Sequence, residues 1–286
     1  MFGQYTTGFR LVDANNRQIR PGAAGAAGTS ITPGASNAMG SYTELLASSA
    51  DDCHGIEVVF NSDTGSTRAK LFDIAIGAGG SEIVILPNLV CGPVPIYQSA
   101  GNVVGGARYF FPVFVKAGTR FAARAQVNNA TAGTCNVIIR LYKANRPDML
   151  RCGSRVIAYG VDTANSRGTA ITEGTASDGT YVELGTIAAG ERPFHWNLGI
   201  TYDAATKAAR AETADLAIGP AGDTSTAGKR LLVEDKPIAG TTTPQINVPV
   251  SFDVYARGLP GESLYSRQQS SGAAETGFYH AAYGVV

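Results

Sequence analysis

Apolar residues alternate with polar or small ones along much of this chain. Ile56, Val58 and Phe60 are interleaved with Glu57 and Val59, and Trp196, Leu198, Ile200 and Tyr202 with Asn197, Gly199 and Thr201. A period of two turns one apolar face of a β-strand inward. Phe72, Ile74 and Ile76 repeat the pattern, as do Ile83 and Ile85. Tyr109-Phe110-Phe111-Pro112-Val113-Phe114-Val115 reads as one long strand whose proline belongs at an edge or a bulge. Val137-Ile138-Ile139-Arg140-Leu141-Tyr142 reads as another. Asn61-Ser62-Asp63, Gly77-Ala78-Gly79-Gly80 and Asn128-Asn129 supply turns between such runs. Strands at this spacing predict an all-β sandwich or barrel. The segment 204–216 (AATKAARAETADL) has helix propensity throughout. Its counterpart at 62–74 holds Asp63, Gly65 and Thr67, so the end of 204–216 is read as a strand with at most a short helix before it.

That counterpart comes from an internal duplication. Gly40-Ser41-Tyr42-Thr43-Glu44-Leu45 recurs as Gly179-Thr180-Tyr181-Val182-Glu183-Leu184. Ile31-Thr32-Pro33-Gly34 is echoed by Ile171-Thr172-Glu173-Gly174, and Asp73-Ile74-Ala75-Ile76-Gly77 by Asp215-Leu216-Ala217-Ile218-Gly219. Ala117-Gly118 with Phe121 and Arg124 matches Pro260-Gly261 with Leu264 and Arg267. The expected organisation is an N-terminal arm at 1–28, a first β-sandwich at 29–145, a linker at 146–169 and a second β-sandwich at 170–286. The arm, with Pro21-Gly22-Ala23-Ala24-Gly25-Ala26-Ala27-Gly28, is too small and simple to pack a core of its own. It suits a tether that orders against a neighbouring subunit.

Composition narrows the function classes. The 23 Lys+Arg balance 23 Asp+Glu, so no net charge recruits nucleic acid or acidic lipid. The start of the chain shows no basic stretch followed by an apolar run, and segments such as 83–86 are far shorter than the roughly 20 residues of a membrane helix. Cys53, Cys91, Cys135 and Cys152 match no zinc spacing and are expected as free thiols in a chain made in a reducing cytosol. Asn129-Ala130-Thr131 matches a glycosylation acceptor, a chance match without a secretion signal.

Candidate chemistry is sparse. Ile76-Gly77-Ala78-Gly79-Gly80 lacks the third glycine and the following helix of a dinucleotide loop. Gly222-Asp223-Thr224-Ser225-Thr226-Ala227-Gly228-Lys229-Arg230 resembles a phosphate loop, but its interval is one residue too long and Arg230 stands where Ser or Thr is needed. Asp51-Asp52-Cys53-His54 could supply ligands or a nucleophile with its base, yet His54 aligns with Trp196, a packing position. His195 and His280 lie in separate segments. Glu44 and Glu183 are repeat-equivalent, one per unit, and so do not form an acid/base pair. Tyr5, Tyr97, Tyr159, Tyr265 and Tyr279 are candidate platforms for stacking on sugars, although strand tyrosines are often half-buried. No catalytic, metal-binding or cofactor-binding residue is assigned, and no cofactor is expected.

One resemblance is carried by Asp73-Ile74-Ala75-Ile76-Gly77 running into Ala78-Gly79-Gly80-Ser81-Glu82 and an isoleucine-rich strand ending at Pro87-Asn88-Leu89. Phe111-Pro112-Val113-Phe114-Val115-Lys116-Ala117-Gly118-Thr119-Arg120-Phe121-Ala122-Ala123-Arg124 adds to it. These segments resemble jelly-roll-type structural proteins of tailed bacteriophages, well over 41–142 and more weakly in the second copy. The resemblance implies two tandem jelly-roll-like sandwiches in a non-enzymatic virion protein, made in the host cytoplasm. It would form a symmetric homo-oligomer contacting other capsid, neck or tail proteins, as a head decoration or spike or in the neck, tail or fibre. The alternative is a receptor- or carbohydrate-binding module on the phage exterior that meets host surface glycan. A hydrolase or lyase using Asp51, Asp52 or His54 is the minority reading. Neither specific nucleic-acid binding nor membrane insertion is expected.

Overall fold

The computed structural model describes residues 9–14, 28–63, 69–91, 108–128, 134–145, 151–202, 212–239, 250–272 and 278–286. All regular elements among them are strands. The first nine are β1 (Phe9–Ala14), β2 (Thr29–Ile31), β3 (Thr43–Leu46), β4 (Gly55–Asp63), β5 (Lys70–Ile76), β6 (Ile83–Cys91), β7 (Arg108–Phe111), β8 (Phe121–Val127) and β9 (Cys135–Ala144). They form two sheets, β1-β9-β4-β7 with β2 also on β9, and β3-β8-β5-β6. This is the strand order of a jelly roll. Ile56, Val58 and Phe60 on one sheet meet Phe72, Ile74 and Phe121 on the other in a buried core.

The second unit repeats this order. Its strands are β10 (Val156–Tyr159), β11 (Val161–Asp162), β12 (Arg167–Ile171), β13 (Gly174–Thr175), β14 (Val182–Thr186), β15 (His195–Tyr202), β16 (Glu212–Pro220), β17 (Arg230–Ala239), β18 (Val250–Tyr255), β19 (Glu262–Ser270) and β20 (Phe278–Val285). One sheet runs β12-β20-β15-β18 and the other β14-β19-β16-β17, with the short strands β10, β11 and β13 added to them. Trp196, Leu198, Ile200, Leu216, Ile218, Leu264 and Phe278 fill the interior. The protein is therefore all-β, two tandem jelly-roll-like sandwiches.

Several local expectations change. The arm is not wholly outside the first sandwich: Phe9–Ala14 pairs with β9 from Arg140 to Ala144, and Asp13 Oδ2 accepts the Ala50 N–H at 2.9 Å. The stretch expected as a linker carries β10, which pairs with Ala282 to Val285 of β20. β1 and β10 hold the same place in their units. Neither shows an extended apolar alternation, which is why the sequence pattern passes over them. Asn61-Ser62-Asp63, read as a turn, continues β4 past a register shift. β7 stops before Pro112, which has no N–H for the ladder, and Val113 and Val115 then make single bridges to Gly153 and Cys53. β6 runs on through Pro87 to Cys91, because an edge strand tolerates a missing donor. Residues 212–216 lie in β16, whereas the short helix allowed before it falls outside the described residues.

The two units are joined by more than chain connectivity. The edge strands β6 and β7 of the first sandwich pack against β10, β15 and β18 of the second. Tyr283 of β20 inserts its hydroxyl between two β6 peptides, accepting from Val90 N–H at 2.7 Å and donating to Asn88 O at 2.9 Å. Asn197 Nδ2 donates to Phe110 O at 2.9 Å, and His195 Nε2 lies 3.1 Å from the same oxygen. Val156, Phe194, Ala281, Tyr283 and Val285 belong to the same buried cluster as the first core. Both faces of β15 are thus covered, and the β6 and β7 edges, which would otherwise offer unpaired peptides, are protected.

Candidate functional site

The repeated motifs converge on one arrangement, built twice. In the first unit Asp73 on β5 faces a bulge in β6. Its Oδ1 accepts the Asn88 N–H at 2.9 Å, and its Oδ2 holds Arg124 of β8 at 2.9 Å. The Arg124 guanidinium lies over the Tyr42 ring, 4.6 Å from its centre. In the second unit Asp215 accepts the Asp235 N–H at 2.7 Å and binds Arg267 Nε at 2.6 Å, with Arg267 4.5 Å over Tyr181. Asn88 and Asp235 both have positive φ, +51° and +48°, a conformation that Asn and Asp tolerate better than most side chains. The sequence motifs shared by the two copies are therefore a tie across three strands of a sheet, capped by a tyrosine that immediately precedes the fourth.

The second tie is more buried and more elaborate. Asp178 adds a 2.7 Å contact to Arg267, and Lys229 Nζ sits 4.2 Å from the Tyr265 ring centre and 5.3 Å from that of Tyr181. Burial pushes the Tyr181 hydroxyl up to about 12, with Arg267 opposing. Lys229 donates to the carbonyls of Asp223 and Ser225, so the loop resembling a phosphate cradle turns its carbonyls onto its own lysine. Such carbonyls repel an anion. Tyr265 donates to Pro220 O and accepts the Asp223 N–H at 3.2 Å, closing the same loop.

The remaining candidates go separate ways. Asp51 pairs with Lys143 at 3.0 Å, Asp52 accepts the Ala117 N–H at 2.8 Å, and the His54 ring stacks edgewise on Phe114 at 5.5 Å. Glu44 binds Arg120 Nε at 2.8 Å. Glu183 accepts from Ser263 at 2.7 Å and from Gly222 N–H at 3.0 Å, bonds that hold its carboxyl below the usual range. Gly77 and Gly80, both at positive φ, turn the β5–β6 hairpin. Among the sugar-platform tyrosines, Tyr159 and Tyr265 are buried, and Tyr279 is covered by Arg167 at 4.4 Å, while Tyr5 and Tyr97 lie outside the described residues. The four cysteines are free, with burial pushing Cys53 and Cys152 up to about 12 and about 11. Among the described residues no group of His, Cys, Asp and Glu is arranged to hold a metal ion, and no helix is long and apolar enough to cross a membrane.

One polar cluster was not assembled by the sequence. His280, inside the second sandwich, has Nδ1 2.8 Å from Ser266 Oγ and Nε2 2.9 Å from Gln268 Oε1. Gln268 Nε2 donates to Glu173 at 2.5 Å and to Glu212 at 3.4 Å, and all five side chains are buried. Burial pushes the imidazole down to about 3, so the ring is neutral at ordinary pH. A Ser–His contact of this length could activate a nucleophile, but here both residues are fully enclosed. The available signal was parity: Ser266 and Gln268 share the inward phase of Leu264, and His280 that of Phe278 and Ala282. Glu173 also lines a cavity of about 460 Å³, together with Asp178, Thr180 and neighbouring loop residues.

No family model and no curated protein matches the sequence. Among solved structures, the chain is similar to the N-terminal CBM22-1–CBM22-2 tandem domain of Paenibacillus barcinonensis Xyn10C. That match has 14% identity, covers 98% of this chain and 94% of the other, and has a TM-score of 0.26. The infectious bursal disease virus VP2 subviral particle is similar at 12% identity, over 87% of this chain and 58% of the other, with a TM-score of 0.26.

Proposed function

We propose that this chain is a non-enzymatic structural component of a bacteriophage particle, assembling as a symmetric homo-oligomer on the head, neck, tail or fibre. The observation that carries this reading is the fate of the duplicated polar residues. Tyr42, Asp73 and Arg124, and their counterparts Tyr181, Asp215 and Arg267, are engaged in ties that hold each sheet together. What the duplication preserves is a means of keeping a rigid double sandwich, and rigidity is what a repeated particle subunit requires. The resemblance of 41–142 to phage jelly-roll proteins supplies the setting, with other virion proteins as partners and the virion as location. Negative-stain images of the purified chain test it: rings or spikes of one symmetry are expected, and single unassembled rods at every concentration would overturn it.

A receptor- or carbohydrate-binding role on the phage exterior is the second reading, favoured by the cavity beside Glu173, Asp178 and Thr180. The exposed Thr172 and Thr180 hydroxyls around the cleft can hydrogen-bond sugar hydroxyls, whereas Glu173 and Asp178 are already engaged by Gln268 and Arg267. Binding to a glycan array that is lost on Thr180→Val, with the fold intact, would move the assignment to this role.

A further inference from the structure

The two units dock through a contact that the duplication could have repeated between chains. The second unit contributes an outer sheet face (Tyr283, Gly199, Ala281), and the first contributes a β6–β7 edge (Asn88, Val90, Phe110). Each chain therefore also carries the first unit's version of the face and the second unit's version of the edge. Docking one on the other in a head-to-tail manner would generate rings or filaments.

We infer that both free ends of this repeated joint are closed, so that copies of this chain do not join through it. Strand registers give the equivalences. Tyr142 pairs with Gly55 as Tyr283 does with Asn197, Glu57 with Arg140 as Gly199 with Ala281, and Leu71 with Val90 as Thr213 with Pro237. On the face, Gly199 lies so close to the neighbouring unit that a Cβ there would overlap the Tyr109 hydroxyl and Val90. The first unit has Glu57 at that position, and Arg140 in place of Ala281. Tyr142, where Tyr283 would reach for a neighbour's peptides, instead donates to Glu57 at 2.8 Å. Glu57 is also bound by Arg140 at 3.0 Å and by Arg108. On the edge, the Val90 N–H that Tyr283 requires is replaced by Pro237, which has no N–H, between Lys236 and Ile238. Glu234, Asp235 and Lys236 charge the same strand, as on edges protected against pairing. A missing space, a captured hydroxyl and a missing donor each block the same contact. The joint is used once per chain, and any homo-oligomer is built through other surfaces.

The experiment uses the full chain. Mixing a Tyr142→Cys preparation with an Asp235→Cys preparation under mild oxidation should give no mixed disulfide above that of either alone, whatever the oligomeric state. A specific mixed dimer would overturn the inference. Combining Glu57→Gly, Arg140→Ala and Pro237→Val should yield species whose mass rises with concentration beyond the wild type. If Glu57→Gly unfolds the chain, Glu57→Ala takes its place. A folded triple variant that keeps the wild-type mass at all concentrations would also overturn it. Neither readout depends on the particle assignment, which fails or stands on the images of the wild-type chain.

Discussion

The two sandwiches share one strand order but fill their interiors differently. Where the first places Ala123, Ala125 and Ile139, the second places Ser266, Gln268 and His280 at the same registers. Volume is balanced across strands: Phe72 faces Ala125 in the first unit, and Ala214 faces Gln268 in the second. A core can exchange large and small neighbours while total volume is kept. It can accept polar groups when each finds a partner, as His280 does with Ser266 and Gln268. Strand order and the Asp–Arg–Tyr tie survived divergence, whereas the identity of the interior residues did not.

The largest effect is expected at the pair formed by Trp196 and its sequence counterpart His54. Trp196→Ala empties the centre of the second core and should cost about 3–5 kcal/mol, whereas His54→Ala should cost roughly 1 kcal/mol or less. Urea unfolding of the two variants checks this, and equal losses would break the comparison. The ties come next. Arg267→Ala leaves Asp215 buried and unpaired and should cost about 3 kcal/mol. Arg124→Ala leaves Asp73 similarly buried, with only the Asn88 N–H on it, but Arg124 itself is more exposed than Arg267, so a smaller loss of about 2 kcal/mol is expected in the same melts.

Acid should separate the two units further. Burial pushes His280 down to about 3 and His195 down to about 4. An unfolded histidine protonates near 6.5, so below that pH the unfolded chain binds protons that the folded chain does not. The stabilisation from these neutral rings is whole above about pH 6.5 and is lost as the pH falls toward 4 and then 3. Both residues lie in the second unit, and Trp196, the chain's one tryptophan, reports on that core. Its fluorescence in urea should give a lower midpoint at about pH 4.5 than at about pH 7. A His280→Gln variant should narrow the gap. The smallest effect is expected at the N-terminus. Removing 1–14 strips β1 from β9 and should lower the melting midpoint by a few degrees relative to removal of 1–8, with both sandwiches still folded.

The sequence made the alternating strands and the duplication legible, because Trp196, Leu198 and Ile200 repeat the phase of Ile56, Val58 and Phe60. It did not expose what occupies the opposite face of β15. His195, Asn197 and Thr201 look like a solvated stripe, yet all three are buried, His195 and Asn197 against Phe110 of the first unit. A face covered by a distant part of the chain leaves no local period. β10 was missed for a related reason: four residues paired to a strand more than a hundred positions away carry little pattern of their own. The polar ties were visible only as repeated letters. That Asp73 and Asp215 each hold a bulge N–H and an arginine emerges from the pairing of three strands in each unit, which no spacing along the chain encodes.

As proposed, this double jelly roll is a particle-building subunit. Light scattering of the purified full chain across a wide concentration range addresses that proposal most directly. A single discrete mass at a small integral multiple of the chain, held on dilution, is the predicted result. A clean monomer at every concentration that binds a defined glycan would contradict it.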